Sequence, residues 1–361
     1  MIAHLYVHIP FCPKVCPYCS FYKEASDRNK TQAFLDAILA EGEVRSPDLQ
    51  PKTIFFGGGT PTALSTRQLE FLIGGLRDRI DFSQVTEFTM EMNPATVSLE
   101  KAAAMRALGV NRVSMGVQSW DPELLKTLGR VHSGEQARRS YEILREAGFE
   151  NINLDLMFGI PGQTSDQWHA SLKTTLALQP DHISAYCLTY EEDTEYFLRL
   201  NRGEFRPDEA LDADFFEMTM DTLAASGYES YEISNHARPG RECLHNLAYW
   251  FGHDSIGLGP SAFSSVGTER WKNVSDTSAY IAHLQAGTDP ADFRETVDPA
   301  TRRVEQIAFT LRTNRGVRSD LLPLDKADAL VAHGLLTRKG DRSHLTRKGR
   351  MVADEVAASV I

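Results

Sequence analysis

The sequence predicts an α/β fold: a partial (β/α)6 TIM-type barrel followed by a C-terminal winged-helix-like α+β segment. Three observations carry this. Apolar strand patterns alternate with helical patterns through the first half of the chain. The alternation repeats at a period of roughly 30–35 residues, the length of one βαβ step. No G-x-G-x-x-G follows the first strand, which argues against a dinucleotide-binding sheet and favours a barrel.

Residues 5–10 read as the first strand, and a cysteine-rich loop follows. A helix is predicted over 30–44, where Phe34, Leu35, Ile38 and Leu39 fall at helical spacing. The second strand, 53–56, ends in Gly57-Gly58-Gly59 and leads to a helix over 65–79. Strands over 87–92, 112–117, 151–158 and 182–188 are interleaved with helices over 98–108, 134–147 and 165–178. The strands read as apolar nearly throughout, as in a parallel sheet covered by helices. These elements make a core domain over 1–190.

The stretch 191–297 breaks the rhythm. It holds a helix over 208–226 and then reads as loops rich in aromatics, His and Gly, an extension of the barrel. The stretch 298–361 reads as a separate domain, with helices over 301–311 and 325–333, a hairpin turning at Gly340-Asp341 and a last helix after Thr346. Arg338, Lys339, Arg342, Arg347 and Lys348 make it locally basic. A solvated face or a lid on the barrel is preferred to a DNA contact.

With 361 residues and a formal net charge of −11, the chain is not a general nucleic-acid binder, because phosphate binding needs a concentrated basic surface. No apolar run approaches the ~20 residues of a membrane span, and the N-terminus lacks the pattern of a secretory signal. A cytoplasmic location is expected. Three of the five cysteines fall within eight residues, a pattern of metal or redox chemistry rather than disulfides.

Those three, Cys12, Cys16 and Cys19, form C-x3-C-x2-C just after the first strand, at the rim where barrel active sites form. Three thiolates on a four-iron cluster leave one iron open for a ligand. Zinc, with His8 as a fourth ligand, is the competing reading. Gly57, Gly58 and Gly59 allow close backbone approach and offer unpaired N–H groups; a tight turn is the alternative. Glu91 ends the third strand, where a surface or capping acid is the plain reading. Gln118 ends the fourth, and Arg130 follows with a guanidinium suited to a carboxylate. Asp155 lies among Leu154, Leu156 and Met157, so it needs a partner inside the barrel. Tyr6 and Tyr18 read equally as packing residues. Cys187 reads as a buried core residue.

YVHIPFCPKVCPYCSFY resembles the signature of the radical-SAM superfamily, in the branch of oxygen-independent coproporphyrinogen III oxidase and its relatives. The resemblance spans nearly the whole chain. It implies a [4Fe–4S] cluster on Cys12, Cys16 and Cys19. It also implies an S-adenosylmethionine site lined by Tyr6, Tyr18, Gly58, Gly59, Thr60, Glu91, Gln118, Arg130 and Asp155.

Two features resemble the heme-chaperone (HemW) branch. Phe21 stands where the dehydrogenase carries a fourth cysteine. His245-Asn246-Leu247-Ala248-Tyr249-Trp250 matches H-N-x-x-Y-W. Imidazole ligates heme iron, and Tyr249 and Trp250 offer flat faces for a macrocycle. His245 is the preferred ligand, with His236, His253 and Cys243 as alternatives; a packed aromatic loop is the plainer reading. The resemblance implies a heme chaperone that passes heme to an apo-hemoprotein of the respiratory chain, at the membrane, with a small electron-transfer protein as reductant. The rival is a radical-SAM enzyme acting on a tetrapyrrole: coproporphyrinogen III dehydrogenase, or a radical alkyl or methyl transferase.

Overall fold

The computed structural model describes residues 1–94 and 96–361, with residues 28 and 29 described by their backbone alone. Six parallel strands form its centre: β1 (Ile2–Ile9), β2 (Leu49–Gly58), β3 (Glu87–Met92), β4 (Arg112–Gln118), β5 (Ile152–Phe158) and β6 (His182–Cys187). Three short strands extend the sheet: β7 (Glu229–Ser230), β8 (Asn235–Ala237) and β9 (Ile256–Leu258). The order is β9-β1-β2-β3-β4-β5-β6-β8-β7, and the end strands do not pair with each other. The result is the expected partial barrel.

Helices cover the outside. Ile54, Phe56, Phe88, Met90, Val113, Met115, Leu154, Leu156 and Ile183 face them and join one apolar core. Burying a side chain of this size contributes about 1.5–3 kcal/mol. Three of the covering helices start the same way. Ser65, Ser133 and Thr164 cap them reciprocally with Gln68, Gln136 and Gln167.

The opposite face of the strands is polar, which the apolar reading of the strands missed. Thr53, Glu87, Thr89, Arg112, Ser114, Asn153, His182 and Ser184 are all buried there. Asp155 is central in β5, and it accepts hydrogen bonds from Ser114 and Asn153. Such an interior has to bond itself or hold a ligand.

The stretch after β8 is not a loop. Leu244–Trp250 is a helix, and it stoppers the lower end of the barrel. Glu87, at the start of β3, accepts the N–H groups of Leu244 and His245, each at 2.9 Å. A carboxylate there satisfies orphan donors and complements the helix dipole. Cys187 ends β6 and is exposed, not core, because the strand has reached the rim.

The C-terminal stretch has its own core of Ile307, Leu311, Val317, Leu336, Val356 and Val360. Its three strands are Val317–Arg318, Leu336–Lys339 and Arg342–Leu345. Much of its basic charge is spent internally or on the barrel. Arg338 pairs with Asp328, Arg347 with Glu217 and Asp221, and Arg342 donates to the Gly316 carbonyl. No helix among the described residues is long and apolar enough to cross a membrane.

Candidate active site at the barrel mouth

The upper ends of the strands carry the sequence-predicted residues. Phe11–Cys12 pairs with Glu24–Ala25, closing a loop that holds Cys12, Cys16 and Cys19 over β1. The Cys19 N–H donates to the Cys16 carbonyl at 3.2 Å. All three thiols are partly buried and none is in a disulfide. Burial pushes the Cys12 and Cys19 thiols up, opposed at Cys12 by Thr60 and Arg130 and at Cys19 by Lys23. Among the described residues no three His, Cys, Asp or Glu side chains converge as a single ion requires. The zinc alternative loses its fourth ligand too: His8 Nε2 meets the Tyr22 carbonyl at 2.9 Å and Nδ1 meets the Tyr6 hydroxyl at 3.1 Å.

The glycines have packing reasons of their own. A Cβ on Gly57 would meet the Glu91 carboxylate at 3.0 Å, and one on Gly59 the Pro10 backbone at 2.7 Å. At Gly58, φ is +103° and a Cβ would lie 2.5 Å from the His8 ring. Gly58→Ala is expected to destabilise the fold by about 3 kcal/mol, from backbone strain plus overpacking, measured by denaturant unfolding. Nor are the N–H groups free. Gly58 donates to Glu91, Gly59 to the Ile9 carbonyl and Thr60 to the Phe11 carbonyl. The segment therefore ties the cluster loop to β2.

Glu91 stands at the mouth near Asp155. Burial and the second acid push its carboxyl up to about 8, although the Gly58 N–H at 3.2 Å opposes this. Asp155 is raised for the same first reason. Two neighbouring buried acids, both raised, mark a place for a cation.

Among the described residues Gln118 is one of three non-glycine residues with positive φ, at +65°, where β4 slips register against β5. Its Oε1 is buried without a partner. Strain and an unsatisfied acceptor at one residue mark a ligand site. The Arg130 fork is not free for a carboxylate. Nη2 donates to the Gly116 carbonyl at 2.6 Å and Nη1 to Cys16 Sγ at 3.6 Å, which leaves Nε buried and unpaired. Tyr18 packs beside Leu124, Leu128 and Ile160. Thr60 Oγ1 lies 3.6 Å from Cys12 Sγ.

The heme-motif residues lie elsewhere, on the stopper helix at the base. His245 is 1% exposed. Its Nδ1 meets Thr53 Oγ1 at 2.7 Å and its Nε2 the Tyr249 hydroxyl at 3.1 Å. Trp250 packs on Phe309 of the C-terminal domain. Tyr249 is 39% exposed. A column of rings joins base to mouth: His245 to Phe55 at 5.2 Å, Phe55 to Tyr6 at 6.2 Å and Tyr6 to His8 at 5.9 Å.

An open six-strand barrel with three cysteines beyond its first strand is how radical-SAM proteins are built, and the radical SAM superfamily matches residues 6–175. The chain belongs to that superfamily and, within it, to the family of proteins called heme chaperone HemW. It is 36% identical to that protein from Bacillus subtilis, covering 97% of each chain. Against the Escherichia coli one it is 34% identical, covering 96% of this chain and 95% of the other. The solved coproporphyrinogen III oxidase (HemN) from Escherichia coli superposes with a TM-score of 0.86 at 25% identity, covering 99% of this chain and 89% of that one. Membership implies SAM and a [4Fe–4S] cluster. The mouth fits both: it offers three thiols, raised acids for a sulfonium or ammonium, and the unpartnered Gln118 and Arg130 atoms.

Proposed function

We propose that this chain is a heme chaperone, which binds heme and hands it to an apo-hemoprotein, with a cluster and SAM at the barrel mouth. The observation that carries it is the likeness, over 97% of each chain, to a protein named for that role. Phe21 supports it, 66% exposed beside the cluster loop where the dehydrogenase resemblance calls for a fourth cysteine. In this reading Cys12, Cys16 and Cys19 hold three irons. Tyr6, Tyr18, Gly58, Gly59, Thr60, Glu91, Gln118, Arg130 and Asp155 surround SAM, with Glu91 receiving its ammonium group. The acceptor is a respiratory-chain hemoprotein at the membrane, and a small electron-transfer protein supplies reducing equivalents in the cytoplasm.

The second reading, oxidative decarboxylation of coproporphyrinogen III, rests on the fold shared with HemN. One anaerobic comparison separates them. The reconstituted protein is titrated with hemin and then mixed with apomyoglobin as acceptor. In parallel, coproporphyrinogen III is incubated with SAM and dithionite. Hemin uptake and transfer without protoporphyrinogen are expected. Stoichiometric protoporphyrinogen with no Soret change would overturn the chaperone reading.

A further inference from the structure

His245 is the motif's imidazole, yet both of its ring nitrogens are hydrogen-bonded and its side chain is sealed in the barrel base. An iron ligand needs one free nitrogen and room for a macrocycle. The base carries another imidazole that meets both conditions. His253 is exposed, and its Nδ1 lies 3.3 Å from His4 Nε2. Its Nε2 has no partner among the described residues.

The local chain holds this ring in place. After the stopper helix, Gly252 takes φ +66°. Its N–H donates to the Tyr249 carbonyl, and the His253 N–H donates to the Ala248 carbonyl. This pair of bonds is the Schellman closure of a helix. The glycine thus turns the chain so that the next residue, His253, leaves the helix axis beside β1.

The ring's second nitrogen is then fixed from behind. The His253 and His4 rings are 5.4 Å apart between centroids and inclined by only 24°. With the nitrogens at 3.3 Å, they meet edge to edge, nearly in one plane, as hydrogen-bonded imidazoles do. His4 Nδ1 meets Thr53 Oγ1 at 2.8 Å, and Thr53 Oγ1 meets His245 Nδ1 at 2.7 Å. His245 Nε2 meets the Tyr249 hydroxyl at 3.1 Å.

Of the two proton assignments, opposite in sense, that satisfy the whole row with every imidazole neutral, the one compatible with an iron ligand at His253 Nε2 starts at the surface. His253 Nδ1–H donates to His4 Nε2, His4 Nδ1–H to Thr53, the Thr53 hydroxyl to His245 Nδ1, and His245 Nε2–H to Tyr249. Burial favours this neutral state, holding His4 down to about 4 and His245 to about 3. In this arrangement His253 Nε2 carries the lone pair, facing outward. A ligating histidine commonly donates its other N–H to an acceptor, which fixes the tautomer and raises its basicity.

We propose that His253 is the axial ligand this chain offers to heme iron. His4, Thr53 and His245 are positioning residues behind it, hydrogen-bonded in series from the stopper helix to the surface. The assignment rests on the heme reading above and moves the ligand off the motif. Phe251, its ring centroid 6.0 Å from that of His253, provides apolar contact beside it. Lys52 acts electrostatically on His4, and Arg315 lies over the Phe251 ring at 4.8 Å, so this end of the barrel carries positive charge suited to propionates.

The test is an anaerobic hemin titration of the full chain with its cluster reconstituted. Soret absorption and low-spin EPR serve as readouts. The wild type is expected to give a coordinated, low-spin signal. His253→Ala is expected to lose that signal and at least tenfold in affinity, while its cluster absorption and melting temperature stay unchanged. Added imidazole is expected to restore the signal in His253→Ala, which a purely structural defect would not allow. His253→Met is expected to keep hemin with a shifted Soret band. His4→Gln is expected to retain hemin with altered EPR g-values. An unchanged spectrum in His253→Ala, or its loss in His245→Gln alone, overturns the ligand assignment and leaves the chaperone reading standing. A wild-type chain that takes up no hemin overturns the chaperone reading itself.

Discussion

Glu91→Gln is expected to make the ligand-free protein more stable above pH 8 and to weaken SAM binding. The Glu91 carboxyl is raised from its ordinary 4.5 to about 8, so the folded state holds a proton that the unfolded chain has released. For a raised acid, the stability it allows is complete below pH 4.5 and is lost as pH rises toward 8. Above that, the wild type carries a buried charge beside Asp155 with one backbone N–H for support. Glutamine keeps the shape and removes the charge. The variant is expected to gain about 4–5 kcal/mol at pH 8.5 and nothing at pH 4, measured by urea unfolding across that range. A flat difference between the two curves would remove the argument. SAM affinity of the reconstituted variant is expected to fall about 10–100-fold, the worth of a charged hydrogen bond.

Cys16→Ala is expected to abolish the cluster. Two remaining thiolates cannot hold a four-iron centre, so the brown charge-transfer absorption disappears after reconstitution and SAM binding falls below detection. The fold is expected to survive. Cys16 sits in a partly exposed turn, and the change removes one weak sulfur contact from Arg130, within about 1 kcal/mol of stability. Retention of full iron content and absorption would show that the cysteine is not a ligand.

The elements were legible because their signals are local. The six strands and their helices announce themselves by period and by caps such as Ser133 with Gln136 and Thr164 with Gln167. The clustered cysteines and the glycine run were equally plain. The barrel interior was written in the sequence but overlooked. Thr89 and Glu91, Arg112 and Ser114, Asn153 and Asp155, His182 and Ser184 alternate with apolar neighbours at the spacing of two that assigns faces. Other features required the third dimension. Glu87 caps a helix more than 150 positions away, and no sequence period reports that. The helical state of Leu244–Trp250 was hidden for the same reason: seven residues rich in aromatics have weak helical preference, and the barrel base stabilises them.

The stopper helix sits across the lower end of the barrel, tied there through Glu87 and Thr53. The mouth lies at the cysteine loop, whereas the base turns part of Tyr249 and the His253 ring to solvent. The two ends stand roughly 20 Å apart, the length of a six- or seven-residue strand. Traffic at one end leaves the other unobstructed. Any signal between them has to pass through solid protein, by way of strands β1 and β2 and the ring column of His245, Phe55, Tyr6 and His8.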